Sequence, residues 1–140
     1  MGYLPSFAIS AAGMTAERTR VEVASLNLAN AHTVQQGPHG YQPLRAVART
    51  AGFPALVGGN EALAAMPVVT IEASPSRTRL VHEPGHPAAD AGGFVAYPGV
   101  DLATEMVTLM TALRSYEANV SAMNTARLLT LKTLDIGRTP

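Results

Sequence analysis

One short segment carries the residue types of a metal-dependent hydrolase. Residues 82–86 read HEPGH, which matches the H-E-x-x-H pattern of zinc peptidases. In that pattern two histidines bind zinc and the glutamate acts as the general base, and both histidines must lie on one face of a helix. The Pro84-Gly85 pair disfavours a helix at this place. A loop is therefore the favoured interpretation, and a zinc-dependent hydrolase that uses His82, Glu83 and His86 remains the alternative function.

Other reactive groups are scarce. The chain contains no cysteine, which removes thiol chemistry and disulfides. No serine or threonine lies in a nucleophile elbow. Glu105 and Glu117 are twelve residues apart on one predicted helix, too far apart to form a carboxylate pair. The sequence predicts that the protein is not an enzyme and has no cofactor or metal.

Charge and hydropathy argue against two classes of partner. Ten basic side chains balance ten acidic ones, so we expect no nucleic-acid partner. No apolar run approaches the roughly 20 residues that cross a bilayer, so we expect no direct membrane insertion. The first twenty residues lack the basic lead and continuous apolar stretch of a secretory signal, and we expect any export to use another route.

Proline and glycine divide the chain into three parts. Eight of ten prolines and nine of twelve glycines lie between residues 31 and 99. Because both residues interrupt helices, the pattern predicts a mainly α protein with a small β or irregular middle. The predicted parts are an N-terminal assembly helix (1–33), a Pro/Gly-rich β and loop insert (34–99) and a C-terminal assembly helix (100–140). Candidate strands cover 41–50, 67–72 and 94–97.

The C-terminal helix carries one long apolar stripe. Asp101 is a plausible N-cap, and Gly137 is a natural end. At 1.5 Å per residue the helix is roughly 50 Å long. Steps of 3.6 residues place nine apolar side chains on one face, and this face is the predicted C-terminal assembly interface. Its residues are Leu102, Met106, Leu109, Leu113, Tyr116, Val120, Met123, Leu128 and Leu131.

The N-terminal helix carries two apolar rows at heptad spacing. The first row is Phe7, Met14, Val21 and Leu28, and the second contains Ile9 and Val23. We expect the two long helices to pack as an antiparallel-type coiled-coil pair, with the β-rich insert between them in sequence. A single partner helix covers one row, so other subunits must cover the remaining apolar surface. The six residues form the predicted N-terminal assembly interface.

The end of the first helix resembles a known signature. Residues 24–33, ASLNLANAHT, are similar to the signature of the flagellar basal-body rod proteins, a family that includes the hook-type axial proteins. It contains two asparagines three residues apart, Asn27 and Asn30, where the helix ends. Asparagine tolerates the left-handed backbone conformation and bonds to local backbone, so Asn30 is predicted to end the helix without a glycine. Asn27 is predicted to bond across to a neighbour.

The last third of the chain resembles the short proximal-rod class of this family, at residues 83–101 and along the helix at 105–134. The resemblance implies a structural subunit of the proximal rod that polymerises helically through its terminal helices and transmits torque. It implies location in the periplasm-spanning rod of the bacterial flagellar basal body. The implied partners are other copies of the chain, other proximal and distal rod proteins, the rod-base adaptor and the flagellar type III export apparatus. A soluble adaptor that presents one helix to a partner groove is a third hypothesis.

Overall fold

The computed structural model describes residues 4–35, 37, 40–49 and 68–137. These residues form two long helices and four short strands, which confirms the prediction of long terminal helices around a β-containing middle. The elements are α1 (Leu4–Asn30), β1 (Leu44–Arg49), β2 (Val68–Ala73), β3 (Arg79–His82), β4 (Phe94–Tyr97) and α2 (Leu102–Ile136). Among the described helices, none has the combination of length and hydropathy that crossing a membrane requires.

The described residues belong to two compact units. The helix-end unit contains residues 4–19, 48–49, 68–70 and 111–137, and the strand unit contains residues 20–35, 37, 40–47 and 71–110. In the helix-end unit, Ala112 is the fully buried side chain among the described residues. The strand unit holds the larger core, which consists of Val23, Ala24, Asn27, Ala31, Val95, Tyr97 and Pro98.

Local signals explain where the helices begin and end. Pro5 lies in the first turn of α1, where the missing N–H costs no hydrogen bond. Asp101 precedes α2, and its Oδ1 accepts a hydrogen bond from the Ala103 N–H at 3.0 Å, as an N-cap does. Its Oδ2 also accepts the Thr104 hydroxyl at 3.0 Å. α2 ends at Ile136, directly before Gly137, so both predicted boundaries of this helix are confirmed.

The strands form two separate two-stranded sheets, β1–β2 and β3–β4. β3 and β4 are antiparallel, with Val81 opposite Val95. Strand alternation turns Val95 and Tyr97 inward, where both are buried, while Leu80 and Phe94 face outward. The N–H of Gln35, five residues after α1 ends, donates to the Ala96 carbonyl at 2.8 Å. The loop that follows α1 therefore contacts β4.

The sequence did not predict β3. Its residues Arg79, Leu80 and His82 are exposed, and only Val81 is half-buried, so the segment lacks a clear hydrophobic alternation. The strand forms because pairing with β4 satisfies its backbone hydrogen bonds. The local residue pattern gives no sign of this pairing. The candidate strands at 41–50, 67–72 and 94–97 contain β1, most of β2, and β4, respectively.

Six threonines on the two helices bond to their own backbone. Each hydroxyl donates to a carbonyl three or four residues earlier, at distances between 2.8 and 3.1 Å. These residues are Thr15, Thr19, Thr108, Thr125, Thr130 and Thr133. Their hydroxyl hydrogens are therefore satisfied within the helix that carries them.

Replacing the N-cap Asp101 by Ala is expected to destabilise the first turn of α2. Hydrogen bonds from Thr104, followed by the Ala103 N–H, lower the pKa of Asp101 below its usual 3.8. A lowered carboxyl pKa means that this stabilisation is present above about pH 4 and is lost as the pH falls through the folded-state pKa. Amide hydrogen exchange of residues 103–105 measures the effect.

Asp101→Asn is the matched control, because its amide oxygen still caps the helix but does not titrate in this range. In this variant we expect the amides of residues 103–105 to exchange at a nearly unchanged rate. Residue 101 should then add nothing to the acid dependence of that rate. Equal exchange in the Ala and Asn variants would contradict the capping role.

Candidate assembly surface

The apolar stripe on α2 remains uncovered in the single chain. Six of its nine residues are exposed, namely Leu102, Met106, Leu113, Tyr116, Leu128 and Leu131. The other three, Leu109, Val120 and Met123, are half-buried. More than half of the Met106, Leu128 and Leu131 side-chain surfaces is accessible. Large exposed apolar patches are typical of surfaces that bind another protein.

The predicted rows on α1 are covered unequally. Ile9 is 57% exposed, whereas Val23 is 4% exposed and belongs to the core of the strand unit. All four residues of the first row, Phe7, Met14, Val21 and Leu28, are half-buried. The strand unit thus covers α1 at Val23, whereas Ile9 remains available to a partner.

A polar hydrogen-bond cluster lies at the centre of the strand unit. Asn27 is 1% exposed, and its Nδ2 donates to the Leu44 carbonyl at 2.8 Å and to the Glu105 Oε1 at 2.9 Å. Its Oδ1 accepts the Leu44 N–H and the Tyr41 hydroxyl, both at 2.8 Å. Burial and then the Glu105 carboxylate raise the pKa of Tyr41 above its usual 10.0, so the hydroxyl remains a donor at neutral pH. This cluster joins α1, β1 and α2.

In the helix-end unit, α1 and α2 approach closely at Gly13. A Cβ at this position would lie 2.9 Å from the Asn119 Nδ2 and 3.2 Å from its Cγ. The missing Cβ therefore makes room for the Asn119 side chain, which explains a glycine inside a long helix.

Glu105 and Asn119, the two residues of α2 that contact α1 through Asn27 and Gly13, do not belong to the predicted stripe. Glu105, Ala112 and Asn119 are seven residues apart, and Ala112 is fully buried. The turn of the helix separates this row from the middle of the stripe by about 80°. Hydrophobicity alone did not identify the row, because its members are small or polar. The heptad spacing of Glu105 and Asn119 is the sequence signal that was available.

Asn30 is the last residue of α1. Its Nδ2 donates to the Leu26 carbonyl at 2.8 Å, and its backbone carbonyl accepts the Thr33 N–H at 3.0 Å. Among the described residues, only glycines have positive φ angles, so the left-handed conformation considered for Asn30 does not occur. The side chain bonds to the backbone of the last turn, which is the other property of asparagine that the prediction used.

The HEPGH segment does not have the helical geometry of a zinc peptidase. His82 ends β3, and residues 84–88 form turns and a bend. The His82 ring packs edge-on against Phe94 at 5.0 Å, and the His86 Nδ1 accepts the Ala88 N–H at 3.1 Å. No group of three or more potential metal-ligating side chains occurs in the described part of the chain. Nothing in this arrangement supports the hydrolase alternative.

Glu83 has a structural contact within this segment. Its Oε2 accepts the Tyr97 hydroxyl at 3.1 Å, and the Arg79 guanidinium lies 5.9 Å from the centre of the Tyr97 ring. Burial raises the pKa of Tyr97 above 10.0, the hydrogen bond and the charge of Glu83 add to this effect, and Arg79 opposes it. The tyrosine therefore stays protonated and holds the loop after β3 against β4.

Comparison with known proteins shows the family to which the chain belongs. Residues 91–136 match the family model described as the C-terminal part of the flagellar basal body rod FlgEFG proteins. The chain is 41% identical to the flagellar basal-body rod protein FlgC of Salmonella typhimurium over 138 residues, which cover 99% of this chain and 100% of the relative. It is 34% identical to FlgC of Bacillus subtilis over 145 residues, with 95% and 97% of the two chains covered. These similarities confirm the resemblance found in the sequence, and the chain belongs to the FlgC family of flagellar basal-body rod proteins.

Proposed function

We propose that the chain is a non-catalytic structural subunit of the proximal rod of the bacterial flagellar basal body. It polymerises helically through α1 and α2 and transmits torque along the periplasm-spanning rod. The observation that carries this proposal is the exposed stripe on α2, of which six residues are uncovered in the single chain. Membership of a family of rod proteins gives this uncovered surface its role.

The predicted interface residues form the proposed assembly surface. On α2 they are the nine stripe residues from Leu102 to Leu131, and on α1 they are Phe7, Ile9, Met14, Val21 and Leu28. Their partial or full exposure supports a role in contacts between subunits. Val23 contributes indirectly, because its burial in the strand unit holds α1 in place. The segments 1–33 and 100–140 are thus the proposed assembly regions, and 34–99 is the insert.

The intrachain helix pair is proposed to be antiparallel and of the coiled-coil type. In the strand unit Asn27 bonds to Glu105, while Arg20 and Val23 line the same cavity of about 160 Å³ as Thr108. Residues earlier in α1 thus lie beside residues later in α2, which supports antiparallel packing. The seven-residue spacing of Glu105, Ala112 and Asn119 supports a heptad arrangement.

The proposed partners are other copies of the chain, other proximal and distal rod proteins and the rod-base adaptor. The family relationship supports these partners, and it also supports export by the flagellar type III apparatus. Identical subunits build a filament through contacts that do not close into a dimer, which agrees with a stripe that extends along most of α2.

Amide hydrogen exchange tests this proposal. We expect residues 107–131 to exchange quickly in the dilute purified chain, because most helix stability comes from burying the apolar face and α2 buries only Ala112 among its described residues. In isolated basal bodies the same amides should be strongly protected. Residues 94–97 provide the internal control, since β4 should be protected in both samples.

Strong protection of residues 107–131 in the dilute monomer would contradict the proposal. Formation of a complex of fixed stoichiometry with one partner, without polymerisation, would favour the adaptor hypothesis instead.

A further inference from the structure

The side chain of Asn27 uses its complete hydrogen-bonding capacity inside the chain. A primary amide has two N–H donors and an oxygen with two lone pairs. Both donors and both lone pairs are used by Leu44, Glu105 and Tyr41, at distances of 2.8 to 2.9 Å. No hydrogen-bonding capacity of this amide is left for a bond to another molecule.

The pairing with Leu44 has the geometry of a strand partner. The Leu44 N–H donates to the Asn27 Oδ1, and the Leu44 carbonyl accepts from its Nδ2. The amide therefore binds the first residue of β1 in the way that a neighbouring backbone would. On the adjacent residue, the Pro43 carbonyl accepts the Ser74 N–H at 2.7 Å, so β1 is held between Asn27 and the segment that follows β2.

We propose that Asn27 is a positioning residue that fixes the register of α2 against α1 through its hydrogen bond to Glu105. A buried polar contact specifies register because a shifted helix would leave buried donors and acceptors without partners. The Asn27–Glu105 bond joins residues 78 positions apart in the sequence, so it acts on the pairing of the two helices and not on local structure. This inference concerns the single chain and does not rest on the proposed function.

A second contact between the two helices has the same heptad spacing. In the helix-end unit Gly13 meets Asn119. Gly13 precedes Asn27 by fourteen residues, and Asn119 follows Glu105 by fourteen residues, which is two heptads on each helix. Residues 13 and 119 lie on the same two helices as Asn27 and Glu105, so we use the partner of residue 13 as the reporter of a slip.

A disulfide between positions 13 and 119 provides the readout. The chain has no cysteine of its own, and the Cβ position at residue 13 is 3.2 Å from the Asn119 Cγ, close enough for a disulfide after Gly13→Cys and Asn119→Cys. Gly13→Cys with Ala126→Cys reports a slip of one heptad, since Ala126 lies seven residues beyond Asn119.

The decisive comparison uses two substitutions at Glu105. Glu105→Gln keeps the carbonyl oxygen that accepts from Asn27 and removes the charge, whereas Glu105→Leu removes the acceptor. In the purified full-length chain under mild oxidation α2 opens often, but a disulfide captures the pair of residues that meet while both helices are formed. We expect the 13–119 disulfide to form at nearly the unmodified rate with Glu105→Gln. With Glu105→Leu its rate should fall about tenfold or more, and the 13–126 disulfide should increase.

The pH profile of Asn27→Asp gives an independent readout. This change places a second carboxylate against Glu105 and the Leu44 carbonyl, and the other charged or titratable groups around the site are Tyr41 and, at the adjacent cavity, Arg20 and Arg45. Facing carboxylates raise each other's folded-state pKa above the unfolded value. The variant should therefore regain stability as the pH falls through that raised pKa, which the unmodified chain should not do.

Asn27→Asp combined with Glu105→Gln reverses the direction of the hydrogen bond between the two side chains. At neutral pH we expect the 13–119 disulfide rate to fall in the Asn27→Asp chain and to recover in large part in the double variant. The double variant should also lose the added pH dependence. Equal disulfide rates in the Glu105→Gln and Glu105→Leu chains would overturn the proposal, as would an Asn27→Asp profile parallel to that of the unmodified chain.

Discussion

Replacing Leu131 by Asp is expected to abolish incorporation of the subunit into the rod while leaving the isolated chain folded. Leu131 is 53% exposed, so the monomer should lose no more than about 0.5 kcal/mol. In the proposed contact between subunits the same change buries a carboxylate without a partner, which costs several kcal/mol. Because every copy in the rod carries the substitution, the loss is repeated at every contact.

The measurement has two parts. Complementation of a strain that lacks its own FlgC should give no motility and no rods, and urea denaturation of the purified chain should give an unchanged midpoint. Ala118→Asp is the matched control, since it adds the same charge at another exposed position of α2, about 140° around the helix from Leu131 and outside the stripe. Normal motility with Leu131→Asp would show that the stripe is not part of the assembly surface. Loss of motility with both variants would show a general effect of the added charge.

Shortening Val95 to Ala is expected to destabilise the strand unit by about 2 kcal/mol, from two lost methyl groups and the cavity they leave. Val95 is 0% exposed and lies opposite Val81 in the β3–β4 pair. The core of this unit is small, so few neighbouring side chains can move to fill the space. Urea denaturation followed by circular dichroism measures the free energy of unfolding.

Leu80→Ala provides the matched control on the same pair of strands. Leu80 is a larger side chain than Val95, but it is 65% exposed on the outer face. Its truncation should cost no more than about 0.5 kcal/mol. Should the two substitutions cost the same, burial on the inner face of β3–β4 would not be what stabilises the unit.

Local patterns predicted the elements that depend on local physics. α2 was identified from its apolar period, and Asp101 from the residue type that caps a helix. The division into helices and a β-containing middle followed from the positions of proline and glycine. In contrast, β3 depends on pairing with β4, and its own residues carry a weak alternation.

The partner of each helix face could not be read from the sequence. Apolar periodicity shows that a face must be covered, but not whether the cover comes from the same chain. The structure joins α1 and α2 through Asn27, Glu105, Gly13 and Asn119, and the apolar stripe is left outside. These contacts link residues 78 or more positions apart, so no local pattern contains them.

The two asparagines of the rod signature illustrate the same limit. Their position at the end of α1 was evident and the sequence assigned them different roles, but the groups to which Asn27 bonds were not evident. Asn30 bonds to the last turn of its own helix, whereas Asn27 bonds to β1 and α2. A motif identifies where a side chain is needed, and only the tertiary contacts identify what it holds.

The threonines that bond to their own helices have a consequence for how the rod can be built. Their hydroxyl hydrogens already have acceptors on α1 and α2, so they do not require an acceptor from the neighbouring molecule. At these six positions the helices therefore need no hydrogen-bond acceptor from a neighbour, and we expect neighbours of different sequence to be accepted there equally well.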